Sequence, residues 1–210
     1  MRHSYSHGSR TGHLVKSRAR VNRVEYNVLA DDPHDTSSFE LQFAEGGEAL
    51  VLGNLIVQSG ATDNATMLSY AAEARRGSVK GSLTLAYNTF VSERSTGAYV
   101  SNHSPVTALS IANVYAGVDR PVFRGPVDSA GDSLLTPQAF EDFGAHAFRL
   151  RAESAGLARL DSAVLRTLEE RGLVPASEPG DGVRTAPRVR TSAGFAGAFE
   201  PCPAVGPLQE

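Results

Sequence analysis

Apolar and polar residues alternate in short stretches through the first two thirds of this chain. Val24, Tyr26 and Val28 fall on one side of residues 24–28, and Phe39, Leu41 and Phe43 on one side of residues 39–43. That period of two is the mark of a strand with one buried face. Residues 49–57 are almost wholly apolar, which suits a strand buried on both faces. Pro33 and the Asp residues around it favour a turn after the first strand. Gly46 and Gly47 predict a hairpin before the third. Residues 64–76 change period. Asn64 as N-cap, Met67, Leu68, Ala71 and Ala72 on one side, and Gly77 beyond predict a short helix. Strand patterns return at 79–91, 98–100, 106–115 and 121–123. The last is an edge segment, because Pro121 cannot donate to a ladder.

Beyond residue 135 the period becomes helical. Thr136 as cap and Pro137 at the first position open the run. Phe140, Phe143, Ala147, Leu150, Leu157, Leu160, Val164 and Leu168 then recur at helical steps. Gly156 divides or kinks the run, and Arg171, Gly172, Leu173 and Pro175 close it. Strands joined by short connections argue for antiparallel pairing. The expected fold is therefore α+β: a mostly antiparallel sheet of about six or seven strands over residues 24–175, covered by a C-terminal helix or helix pair. Residues 1–23 and the Pro/Gly-rich residues 176–210 read as disordered termini. No internal repeat emerges from this reading.

Charge adds a second feature. Residues 1–23 carry Arg2, Arg10, Lys16, Arg18, Arg20 and Arg23 and no acid, while residues 24–175 hold 11 basic and 19 acidic side chains. Such segregation marks a tail that reaches for an anion or folds back on its own domain. Arg10, Lys16, Arg18, Arg20 and Arg23 are the anion-binding candidates, toward a nucleic acid or a protein partner. Carboxylates such as Glu40, Glu45 and Glu48 compete for them. Cys202 is the lone cysteine, so no intrachain disulfide can form. No stretch approaches the 18 apolar residues of a membrane span, and a cytoplasmic protein with no membrane partner is expected.

Candidate chemistry is sparse. The common nucleotide-binding glycine fingerprints, the Gly-x-Ser-x-Gly elbow and the His-Glu-x-x-His zinc motif are missing. No cofactor is implied. Asp31, Asp32, His34 and Asp35 cluster in a turn and are the candidate metal ligands, since hard carboxylates suit a divalent cation; Asp-rich turns also form because Asp bonds its own backbone. His103 lies between two apolar β segments, with Asp119 and Arg124 after the next strand. An imidazole, a carboxylate to orient it and an arginine to hold an anion make these three the catalytic candidates. The leading expectation is a non-catalytic binding or regulatory module with a basic arm. The alternatives are a small hydrolase or transferase centred on His103, and a self-assembling structural protein.

Overall fold

The computed structural model describes residues 1–75, 79–117, 122–180, 184–189 and 194–201. Its strands form three parallel sheets rather than an antiparallel one. The chain winds through them in coils. The first coil is β1 (Tyr5–Ser6), β2 (His13–Ser17) and β3 (Val21–Glu25). The second is β4 (Val28–Ala30), β5 (Phe39–Phe43) and β6 (Glu48–Leu52). The third is β7 (Leu55–Gln58), β8 (Thr66–Tyr70) and β9 (Leu83–Ala86). The fourth is β10 (Thr89–Ser92), β11 (Ala98–Asn102) and β12 (Ala108–Ile111). The fifth is β13 (Val114–Gly117), β14 (Phe123–Arg124) and β15 (Val127–Ala130), and β16 (Ser133–Leu135) begins a sixth. One sheet stacks in the order β1-β4-β7-β10-β13-β16, a second β2-β5-β8-β11-β14, and a third β3-β6-β9-β12-β15. We call them the first, second and third sheets. Each strand pairs with its counterpart one coil away, so the molecule is a β-solenoid.

The corner between the third and first sheets shows why the chain coils. A residue in the left-handed region stands there in every coil: His3, Tyr26, Gly53, Tyr87, Ala112 and Gly131. Ser4, Asn27, Asn54, Asn88, Asn113 and Asp132 follow them. Each Asn side chain accepts the backbone N–H of its counterpart one coil earlier, as Asn27 N–H to Asn54 Oδ1 (2.9 Å), Asn54 to Asn88 (3.0 Å) and Asn88 to Asn113 (2.9 Å). Each amide nitrogen also donates to the next side chain and to a backbone carbonyl, as Asn54 Nδ2 does to Asn88 Oδ1 and Val24 O. The ladder satisfies buried backbone groups that the sharp bend takes out of the sheets. Asp132 ends it by accepting the Asn113 N–H at 2.7 Å.

The left-handed backbone costs a non-glycine residue about 1–2 kcal/mol, so packing must hold it. At Gly53 the glycine is required by space as well. A Cβ there would lie 2.9 Å from the Tyr26 ring, which crosses the corner.

The repeat is thus present, against the expectation of none. Its members lie 27, 34, 25 and 19 residues apart from Asn27 to Asp132, and this uneven spacing hides it from a search at fixed period. The hairpin expected at Gly46 and Gly47 is a corner that sends β5 into β6 in a different sheet. The short helix expected at 64–76 is, in its described part, β8 followed by turns. Short connections misled the pairing: here a short link turns a corner, and the hydrogen-bonded partner is one coil away.

Two apolar cores result. Inside the coils Leu29, Ile56, Phe90 and Tyr115 stack along the first sheet, with Leu41, Leu68 and Val100 along the second. Phe90 and Tyr115 stack at 5.1 Å. On the outer face of the first sheet Val28, Leu55, Val57, Val91, Val114 and Ala116 are covered by Phe140, Phe148, Leu150, Leu160, Val164 and Leu168. The C-terminal segment therefore covers a sheet, but not as the expected helix pair. It runs through β17 (Phe140–Asp142), β18 (Ala147–Leu150) and short 3-10 turns to a single nine-residue helix, α1 (Ser162–Glu170). Asp161 caps that helix, accepting from the N–H groups of Ala163 and Val164. Its end follows the sequence reading: Gly172 is left-handed, Gly172 N–H reaches Glu169 O, and Leu173 N–H reaches Leu168 O.

Neither terminus is wholly disordered. The first 23 residues hold β1, β2 and part of β3, so the boundary expected at residue 24 falls inside a strand. Ser177–Pro179 (β19) pairs with Thr185–Pro187 (β20), and Arg188 lies buried with its guanidinium 4.9 Å from the Tyr87 ring centre. Low apolar content did not prevent order in these segments because the existing coils supply edges and surfaces to pair with.

Candidate functional site

The second sheet carries the polar face. Its inward positions are Val15, Leu41, Leu68, Val100 and Phe123 on successive strands. One residue on, pointing outward by the alternation of a strand, runs the row Lys16, Gln42, Ser69, Ser101 and Arg124. Neighbours in that row stand one strand spacing apart, about 4.8 Å. The small side chains in its middle leave room. A cavity of about 380 Å³ opens over Ser69 and Ser101, with Phe39 and Asn64 among its walls and His103 and Arg124 at its other side.

Ser69 is fully buried and its hydroxyl has no partner among the described residues. A buried unpaired hydroxyl costs free energy unless something else bonds it. Thr66 Oγ1 lies 3.4 Å from Ser101 Oγ, and Asn64 Oδ1 accepts the Thr66 N–H at 3.2 Å. His103 is exposed and held by its backbone: its N–H donates to Tyr70 O at 3.0 Å. The buried Asn102 before it secures the loop, donating to Val106 O and Pro126 O and accepting from Ser104. Beyond His103 a second cavity of about 520 Å³ continues over Ala71, Val79, Ser104 and Pro105. The imidazole thus stands where two hollows meet. No carboxylate is among the described residues lining either one.

His103 and Arg124 line one cavity. Asp119 lies outside the described residues. Asp31, Asp32, His34 and Asp35 do not converge. Asp31 is buried and accepts from Ser37 Oγ at 2.7 Å and Thr62 Oγ1 at 2.6 Å, while Asp35 accepts the backbone N–H of Asp32 and of Gly8. Asp32 faces His7 at 3.4 Å. Among the described residues no three His, Cys, Asp or Glu side chains are placed to share an ion.

The basic arm folds back. Arg2 and Arg23 both bond Glu25, which is buried, and burial pushing its carboxyl up is outweighed by these two guanidinium bonds, leaving it below its usual range. Lys16 and Arg18 bond Glu73 and hold it low, and Arg18 also reaches Glu45 at 3.1 Å. Arg10 and Arg20 make no ion pair among the described residues. A third cavity of about 380 Å³ lies at the corner after the second sheet, between Arg18, Arg20, Glu45, Glu48 and Lys80. Its charges are of both signs.

Sequence reasoning missed Phe39, Thr66 and Ser69. The signal was available only through the repeat: the outward row falls 11 to 15 residues after each corner Asn. That interval varies with loop length, so only the register aligns it. No helix among the described residues is long and apolar enough to cross a membrane. Set beside known proteins, the chain matches no family model, no curated protein and no solved structure.

Proposed function

We propose that this protein is a non-catalytic binding module that takes a saccharide on the outer face of its second sheet. The observation that carries this is the buried, unpartnered Ser69 hydroxyl at the floor of an open trough. Around it stand neutral hydrogen-bonding groups, Thr66, Ser101 and Asn64, and one aromatic side chain, Phe39. A hydroxyl-rich ligand with apolar C–H faces suits that mixture: the hydroxyls exchange bonds with Ser and Thr, and the ring covers the C–H face. The basic arm does not serve as the handle in this reading, because four of its six cations already bond the protein's own carboxylates. The hydrolase or transferase reading centred on His103 takes Asp119 as the orienting carboxylate, which lies outside the described residues, and the described lining of the two cavities holds no other carboxylate.

The test is a panel of neutral and acidic oligosaccharides titrated into isotopically labelled protein. Amide shifts confined to Phe39, Ser69, Ser101 and His103 are expected. Ser69→Ala should weaken binding several-fold and raise the melting temperature, since the buried hydroxyl makes no bond in the fold and its removal relieves that cost. Shifts elsewhere, or none, would remove the second sheet from the account.

A further inference from the structure

We infer that the ligand on this face carries an oxyanion, a carboxylate or sulfate group on the saccharide, received by Arg124 and His103. The inference rests on the saccharide reading above and deepens it. Arg124 stands directly beside Ser101 in the strand register, and Ser101 beside Ser69. One guanidinium and two small hydroxyls therefore line up across three strands, about 4.8 Å apart. His103 faces the same hollow. Arg124 is exposed and makes no ion pair with any described residue, unlike Lys16 and Arg18 of the arm. A planar guanidinium presents paired donors suited to the two oxygens of a carboxylate or the edge of a sulfate. The Ser101 hydroxyl, one strand from Arg124, is the neutral donor nearest that group, and Ser69 lies one strand further on. Lys16 ends the row on the far side and is bonded to Glu73. The available positive charge is thus concentrated at the Arg124 end, and the ligand's charged unit is placed there.

Calorimetric titration of the full chain decides this, with three probes of equal length: an oligogalacturonate, a sulfated oligosaccharide and a neutral cello-oligosaccharide. The acidic probes should bind about tenfold or more tightly than the neutral one, with affinity falling as salt rises. Arg124→Gln should erase most of that preference, and His103→Gln part of it. The two acidic arms show which oxyanion is preferred. Equal binding of acidic and neutral probes, or a preference that survives Arg124→Gln, overturns the oxyanion inference and leaves the saccharide reading standing. Failure of all three probes to bind overturns both.

Discussion

At the corner between the third and first sheets, the Asn54 side chain joins three coils. It accepts from Asn27 and donates to Asn88 and to Val24 O. Asn54→Ala would leave the Val24 carbonyl and the Asn27 N–H buried without these partners, at about 1–3 kcal/mol each. Chemical denaturation should show a loss of about 3 kcal/mol. A loss under about 1 kcal/mol would mean the corner is held by packing alone. A second residue-scale effect concerns pH. Glu40 is fully buried beside Asp31, and burial first, then the neighbouring carboxylate, raises its carboxyl well above 4.5. The native state then keeps a proton that the unfolded chain releases near pH 4.5. The stability so gained is complete below that pH and is lost as pH rises through the raised native value. Glu25 and Glu73 are lowered, so their contribution is present above pH 4.5 and lost below it as pH falls through their native values. The two windows lie on opposite sides. Glu40→Gln should therefore raise the melting temperature by an amount that grows from pH 4.5 upward; a constant offset at every pH would show that Glu40 does not titrate.

Among the elements, the C-terminal segment is held by charge as well as packing. Arg188 bonds Glu200 at 2.7 Å and the carbonyls of Gly197 and Phe195, and Arg149 bonds Glu178 at 2.8 Å. Breaking a buried pair from one side leaves a buried charge and costs about 3–5 kcal/mol. Arg188→Ala should therefore loosen residues 184–189 and 194–201 first. Hydrogen exchange should rise there while the amides of β7 and β10 keep their protection. Equal loss in both places would show that the segment and the coils unfold as one unit. Corners within a coil carry constraints too: a Cβ on Gly97, between β10 and β11, would stand 1.7 Å from Ala65 O, so no side chain fits at that approach.

For the whole molecule, each coil is paired only with its neighbours, so stability is a sum of neighbour terms. Three of the six end strands are short, two residues in β1 and β14 and three in β16, which limits pairing between copies there, while β2 and β3 run five residues and β15 four. Protection from exchange should be greatest at β7 to β10 and decline toward both ends. A flat profile would instead indicate a single cooperative unit. Charge segregation along the chain largely disappears in space, because Glu25, Glu45 and Glu73 sit against the arm. Several of these pairs are exposed and contribute little to stability individually.

Residues 39–43 were legible as a strand because period two depends only on neighbours. The close of α1 at Gly172 and Leu173 was legible for the same reason: a left-handed glycine followed by an apolar residue is a local device. Loop position grouped His103 with Asp119 and Arg124; Asp119 lies outside the described residues, and the other two line one cavity. What only the tertiary structure decided is which strand lies beside which. A strand's sequence records its two faces but not its partner, and here the partner is a coil away across loops of unequal length. The same register sets Ser69 beside Ser101 and Arg124, and it gives the first 23 residues an edge to pair with. Their own composition could not supply one.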